Sequence, residues 1–160
     1  MQKNEKENQL EALQRLAHIG IWEFDLTTQN LTWSNEIFNI FEVDKNKFIP
    51  TYEKFFEIVH PEDKESLEKI YLNSLQTRQK FKSTHRLLFP DGRVKYVEQS
   101  GDSIFDENNN PLISRGTVQD ITELTVAKIE AQKEHDKLKA ILENIPDLLW
   151  MKDIDGVYIS

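Results

Sequence analysis

The spacing of hydrophobic residues changes repeatedly along the chain, and each change marks an element. Residues 9–17 carry Leu10, Leu13 and Ala17 at helical intervals among Glu, Gln and Arg, which predicts a short amphipathic helix. From Ile19 the period becomes two. In IGIWEFDL, Trp22, Phe24 and Leu26 alternate with Glu23 and Asp25, as in a strand with one buried face. TTQN supplies a turn and LTWS a second strand. Ser34 then stands where a helix N-cap belongs, ahead of Ile37, Phe38 and Phe41 at helical spacing.

The stretch FIPTYEKFFEIVHPEDKESLEKIYLNSL predicts two short helices. The first carries Phe55, Phe56 and Val59 on one side. The second opens at Pro61, suited to a first helical position, with Glu62 and Asp63 beside the positive end of the helix dipole. Its apolar face is Leu67, Ile70, Tyr71 and Leu75. Extended segments follow in KFKSTHRLLF, VKYVEQSGDSIF and LISRGTVQDI, separated by PDGR and DENNNP, and Asp91-Gly92 between β-prone runs is a strong hairpin signal. Two strands, a block of helices and three strands together predict an α+β fold, a five-stranded antiparallel sheet with short helices on one face. Beyond Ile121 there is no Gly or Pro until Pro146, and helix formers dominate. There Leu124, Ala127, Ala131, Glu134, Leu138, Ile141 and Ile145 recur at alternating spacings of three and four, a heptad seam flawed at Glu134.

Composition narrows the function. The net charge of -8 argues against a sequence-independent hold on nucleic acid, which rests on cations against phosphate, and against docking on an anionic membrane. The chain has no cysteine, which removes disulfides, thiolate metal sites and cysteine nucleophiles. The longest run without a charged residue is 26–35, far short of the roughly 20 apolar residues of a membrane span. The polar start MQKNEKENQLEALQRL has no signal-peptide core, so a cytoplasmic location is expected.

The strand and helix order, read with IGIWEFDL, LTWS, HPED, FPDGR and GTVQDIT, resembles the PAS domain, and within it the subgroup that ends in a PAC motif. The resemblance covers residues 18–122. It implies a sensory module of a multidomain bacterial signalling protein, such as a sensor histidine kinase or a cyclic-dinucleotide enzyme. WEFDLTTQNLTWS from Trp22 also compares with WMKDIDGVYIS from Trp150: each has Trp, Asp three residues on, a turn, and a strand closing on Ser. The chain is therefore expected to be a piece of a longer protein: an N-terminal helix (1–17), a PAS domain (18–122), a coiled-coil-like helical linker (123–145) and the first hairpin of a second PAS domain (146–160).

Candidate chemistry is sparse. No nucleophile elbow, Gly-rich phosphate loop or closely spaced His/Asp/Glu set is present, so the chain is expected to be non-catalytic and metal-free. His60 in VHPED stands at a helix junction, not in the long helix where haem-binding PAS members carry their ligand. Light-sensing flavin members use a cysteine, absent here. Neither haem nor flavin is predicted. His135 in KEHDKL lacks the residues that follow a kinase phosphoacceptor and reads as a solvated position on the linker. Trp22, Phe24, Trp33, Phe38, Phe41 and Tyr96 are expected either to line a ligand pocket or to fill the core. In QDITEL, Asp120 is placed to cap the following helix, with Glu123 reaching back as in a capping box. The resemblance makes Asp120 and Thr122 the signal junction and implies a basic partner for Asp120, Arg86 ahead of Arg93. A homodimer through Leu124, Ala127, Ala131, Leu138 and Ile141, joined by the Leu10–Leu13 helix, is expected, with adjacent PAS and output domains as further partners.

Overall fold

A computed structural model describes residues 2–144, 151–152 and 158–159, and the chain divides into two units, Met1–Thr122 and Glu123–Ser160. In the first, helix α1 (Gln2–Ala17) leads into strands β1 (Ile19–Asp25) and β2 (Asn30–Trp33). Helices α2 (Asn35–Ile40), α3 (Tyr52–Ile58) and α4 (Pro61–Thr77) follow, then strands β3 (Phe81–Leu88), β4 (Val94–Phe105) and β5 (Pro111–Asp120). The five strands form one antiparallel sheet in the order β2-β1-β5-β4-β3, so the last strand enters between the first and the fourth. The expected α+β architecture is present, although α4 is a 17-residue helix rather than a short one.

Period-two alternation decides what faces inward. Along β1 the buried positions are Gly20, Trp22 and Phe24, and along β3 they are Phe81, Ser83, His85 and Leu87. Register aligns Trp33, Trp22, Gly116, Gly101 and Phe81 in one row across the sheet. A Cβ on Gly116 would overlap the Ser100 carbonyl oxygen. One on Gly101 would meet Arg115 O at 2.7 Å, Trp22 Cζ2 at 2.8 Å and Phe81 Cε1 at 2.9 Å. The two glycines thus let the Trp22 and Phe81 rings close over the strands, with centroids 6.1 Å apart.

Helix ends follow local chemistry with one departure. The Thr51 hydroxyl accepts from the Lys54 N–H and caps α3, and His60 Nδ1 accepts from the Glu62 N–H and caps α4. Ser34 occupies the N-cap of α2, but its hydroxyl accepts from the Ile21 N–H at 2.9 Å and so ties the helix start to β1. Helix α1 begins seven residues before the predicted start. Its buried position is Gln14, and Glu11 accepts a hydrogen bond from Asn35, while Leu10, Leu13 and Leu16 are exposed. The polar edge of α1 packs here because α2 offers it an amide, not an apolar groove.

Helix α5 (Thr122–Asn144) starts at the last residue of the first unit, and from Glu123 on it belongs to the second. Strands β6 (Met151–Lys152) and β7 (Tyr158–Ile159) pair antiparallel, Met151 with Ile159 and Lys152 with Tyr158. The remaining residues of the terminal repeat, and Ile145 at the end of the heptad seam, lie outside the described residues.

His85 is buried on β3, neither ring nitrogen hydrogen-bonded to any of the described residues, its ring edge-on to Phe55. Burial pushes the imidazole down to about 4, against a smaller opposing effect of the Asp63 charge. Because the folded pKa lies below the unfolded one, the unfolded chain takes up the proton first as the pH falls. The contribution to stability is complete above pH 6.5 and is lost progressively towards pH 4, by about 2 kcal/mol at pH 5. Urea unfolding at pH 7 and pH 5 checks this: wild type is expected to lose more stability than His85→Leu, and equal losses would show that His85 is not held neutral.

Candidate functional site: an aromatic cavity and the strand-to-helix junction

Between the inner face of the sheet and helices α2, α3 and α4 lies a cavity of about 50 Å³. Of the six aromatics singled out in the sequence, Trp22, Phe24, Trp33 and Phe41 line it. The other two expected residues do not. Phe38 stands edge-on to Trp33 at 5.5 Å, outside the lining, and Tyr96 lies on the opposite face of β4 from the buried Val97. Reading Tyr96 inward therefore put it one residue out of phase. Tyr52, Phe55, Tyr71, Phe81 and Gln99 complete much of the wall. Phe81 shares the inward face of β3 with Ser83 and His85, and Gln99 that of β4 with Val97, so the polar residues mask the inward face in the sequence.

The wall carries no charged side chain. The Tyr71 hydroxyl is shared with Ser114 Oγ at 2.9 Å, and Ser114 with Ser103 at 2.7 Å, so these polar groups are already paired. Burial raises the Tyr71 phenol above its ordinary pKa and pushes Tyr52 up to about 12, so both hydroxyls stay protonated at neutral pH. The cavity holds a few waters or a small fragment, since one water needs about 10–15 Å³. It lies far below the roughly 300–1,000 Å³ of a drug- or cofactor-sized pocket.

At the end of β5 the chain turns into α5 through a compact set of hydrogen bonds. Asp120 Oδ1 accepts from the Thr122 N–H at 2.9 Å and from its hydroxyl at 2.6 Å. The same hydroxyl accepts from the Tyr96 N–H at 3.0 Å, the Ile121 N–H donates to Tyr96 O, and the Asp120 N–H donates to His18 O. Asp120 therefore closes on Thr122, not Glu123, and the end of α1, strand β4 and the start of α5 share one corner.

The basic partner of Asp120 is Lys95, whose Nζ lies 3.6 Å from its carboxylate. This corrects the expectation of Arg86 or Arg93. Arg86 instead donates to both Asp63 oxygens and to Glu62 at the start of α4, and the pairing holds the Asp63 carboxyl below its ordinary pKa. Arg93 clamps Glu42 and Asp91. Lys95 also meets Glu42 at 3.0 Å and donates to the Ile40 carbonyl at 3.0 Å. Hydrogen bonds from Arg93, and next from Lys95, hold Glu42 at about 2. Glu42 stands at a left-handed φ of 54° just after α2, whose Ile37 and the adjoining Phe41 line the cavity. Nothing in a linear pattern shows that residues 42, 95 and 120 meet. Their proximity follows from β5 inserting next to β4.

The residues singled out on α5 (Leu124, Ala127, Ala131, Leu138 and Ile141) are all exposed, as is His135. Among the described residues no group of three or more His, Cys, Asp or Glu is arranged to hold a metal, and no helix is long and apolar enough to cross a membrane.

The sheet order, the helical layer on its inner face and the terminal junction define a PAS-type sensory fold. The sequence pattern of the PAS fold matches residues 30–118, and the chain belongs to that family, whose domains are sensory modules rather than catalysts. Over 127 residues it is 27% identical to a probable diguanylate cyclase, DgcE, of Escherichia coli, covering 79% of this chain and 11% of that protein. It is 28% identical over 133 residues to a blue-light-activated histidine kinase of Brucella anthropi, covering 83% and 26%. The chain thus spans between a tenth and about a quarter of these relatives. In fold it is similar to a sensory box histidine kinase/response regulator from Burkholderia thailandensis, with a TM-score of 0.70 at 15% identity over 82% of this chain and 98% of that one.

Thr122→Val removes the hydroxyl that Asp120 and the Tyr96 N–H both use, and should cost about 1–2 kcal/mol. Hydrogen exchange is expected to quicken at the Tyr96 and Ile121 amides while Val97 and Val118 keep their protection. Unchanged exchange at Tyr96 would show that the hydroxyl does not secure the corner.

Proposed function

We propose that the chain is a sensing and signal-relay module of a multidomain bacterial signalling protein, with a histidine kinase or a diguanylate cyclase as the output. Both kinds of protein stand among its relatives. The observation that carries the reading is the shared use of Lys95, which ties the end of the cavity-lining helix α2, through Ile40 and Glu42, to Asp120 at the start of the output helix. A change in the cavity that shifts α2 alters what Lys95 can reach, and with it the geometry at Asp120–Thr122. The linker helix over 123–145, paired with its twin, passes that change to a second PAS domain that opens with the hairpin of 146–160. The relay needs two linker arrangements within a few kcal/mol, biased differently by the input.

The dimer reading rests on exposed apolar residues, with Leu138 and Ile141 about half exposed on α5 and Leu10 and Leu13 open on α1. Leu138→Glu should lower the mass measured by analytical ultracentrifugation from dimer to monomer. An unchanged mass would move the interface to α1 or the sheet.

A ligand-free spacer is the competing reading. Insertions of one to seven residues near Gln132 in the full-length parent separate the two. In a relay, output swings with heptad phase and returns at about seven residues. A spacer gives a flat response.

A further inference from the structure

Two buried polar atoms of cavity-lining residues, Trp22 Nε1 and Gln99 Oε1, have no hydrogen-bond partner among the described residues, and both residues are more than nine-tenths buried. Both residues line the same small cavity. Trp22 Cζ2 is 2.8 Å from where a Cβ on Gly101 would stand, so the indole extends over β4, and Nε1 is two bonds from Cζ2. Gln99 is two residues before Gly101 on the same strand and faces the same side, roughly 7 Å along it. One atom only donates and the other only accepts. Leaving either unpaired in an apolar interior is costly, so the site selects for a molecule that answers both.

We infer that the cavity takes a small neutral carboxamide or lactam, whose carbonyl accepts from the Trp22 indole and whose N–H donates to Gln99. Each feature of the wall narrows the ligand in this direction. With no charged lining residue, a carboxylate or ammonium would enter without a counter-charge. The Tyr71 hydroxyl already bonds Ser114 behind the wall and makes no further demand. The volume admits only a few heavy atoms beside the aromatic rings. An amide presents acceptor and donor on one edge, whereas a ketone or ether supplies only the acceptor. The assignment rests on the sensory reading above and names the chemistry of its input.

The test is a titration of the ¹⁵N-labelled full chain with isobutyramide, alongside 3-methyl-2-butanone, which keeps the carbonyl and loses the donor, and isobutyrate at pH 7. Isobutyramide is expected to shift the Trp22 indole resonance, assigned by its disappearance in Trp22→Phe, and to bind at least tenfold more tightly than the ketone. Isobutyrate should not bind. In Gln99→Leu the preference for amide over ketone should fall towards unity while the ketone still binds, which keeps the test decisive if Trp22→Phe does not fold. Equal binding of amide and ketone by wild type overturns the proposal. So does an unmoved indole resonance that cross-relaxes with water, which would assign both atoms to buried solvent. The linker insertions report separately: amide binding with a flat insertion response keeps the site and removes the relay, and the reverse removes the site alone.

Discussion

The close approach of β4 and β5 at Gly101 and Gly116 governs the interior of this domain. Any side chain at 116 would run into the backbone of the neighbouring strand, and one at 101 would occupy the space of two aromatic rings. With both positions bare, Trp22 from β1 and Phe81 from β3 lean towards each other across two strands instead of standing upright between sheet and helices. That tilt brings the indole N–H over β4 and leaves the helical layer to be filled by rings from above. Phe24 stacks on Tyr52 at 5.9 Å, and Trp33 packs on Phe41 at 4.9 Å and on Phe48 at 5.4 Å. Rings are rigid and pack at fixed offsets, so they leave residual space where shorter aliphatic chains would close it. The cavity and its unpaired polar atoms follow from the same two glycines.

The strands and helices were legible because each had a strong local cause. Period-two alternation predicted β1, Asp91-Gly92 the β3–β4 hairpin, and Pro61 after His60 the start of α4. Trp22, Phe24, Trp33 and Phe41 could be singled out as interior rings from the sequence, but not whether they line a cavity or fill the core. Tyr96 failed because a residue's face depends on strand register, and the polar Gln99 and Ser83 on the inner face blurred the alternation. Arg86 failed for another reason. Its nearest carboxylates are supplied by α4, an element packed against the edge of the sheet, and no sequence spacing encodes that approach. The buried edge of α1 was likewise hidden, because its contact is Glu11 with Asn35 and not the leucine stripe.

Three cations on the β3–β4 hairpin hold the helical layer to the sheet, and they do so in physically different ways. Arg86 forks onto Asp63 and also reaches Glu62, fixing the start of α4 by several directional bonds. Arg93 pairs with both oxygens of Glu42 but is more than half exposed, where solvent screens much of the gain. Lys95 is about four-fifths buried and is a compact charge on a flexible stem, shared among Glu42, Asp120 and a backbone carbonyl.

This difference decides where movement of the helices can be expressed. A guanidinium fork loses two bonds together when its partner rotates, so the α4 end resists displacement. An ammonium shared by two carboxylates exchanges one contact for another with little change in energy, because neither contact requires a fixed angle. In the proposed relay, a displacement of α2 works against the exposed Arg93–Glu42 fork and redistributes Lys95 between Glu42 and Asp120. Asp120 is also the residue that fixes Thr122, whose hydroxyl it holds at 2.6 Å, so in that relay the redistribution would reach the start of α5. The cavity wall carries no charged side chain, and Lys95, Glu42 and Asp120 stand outside it, so in the proposed relay the group that binds and the group that reports are different residues.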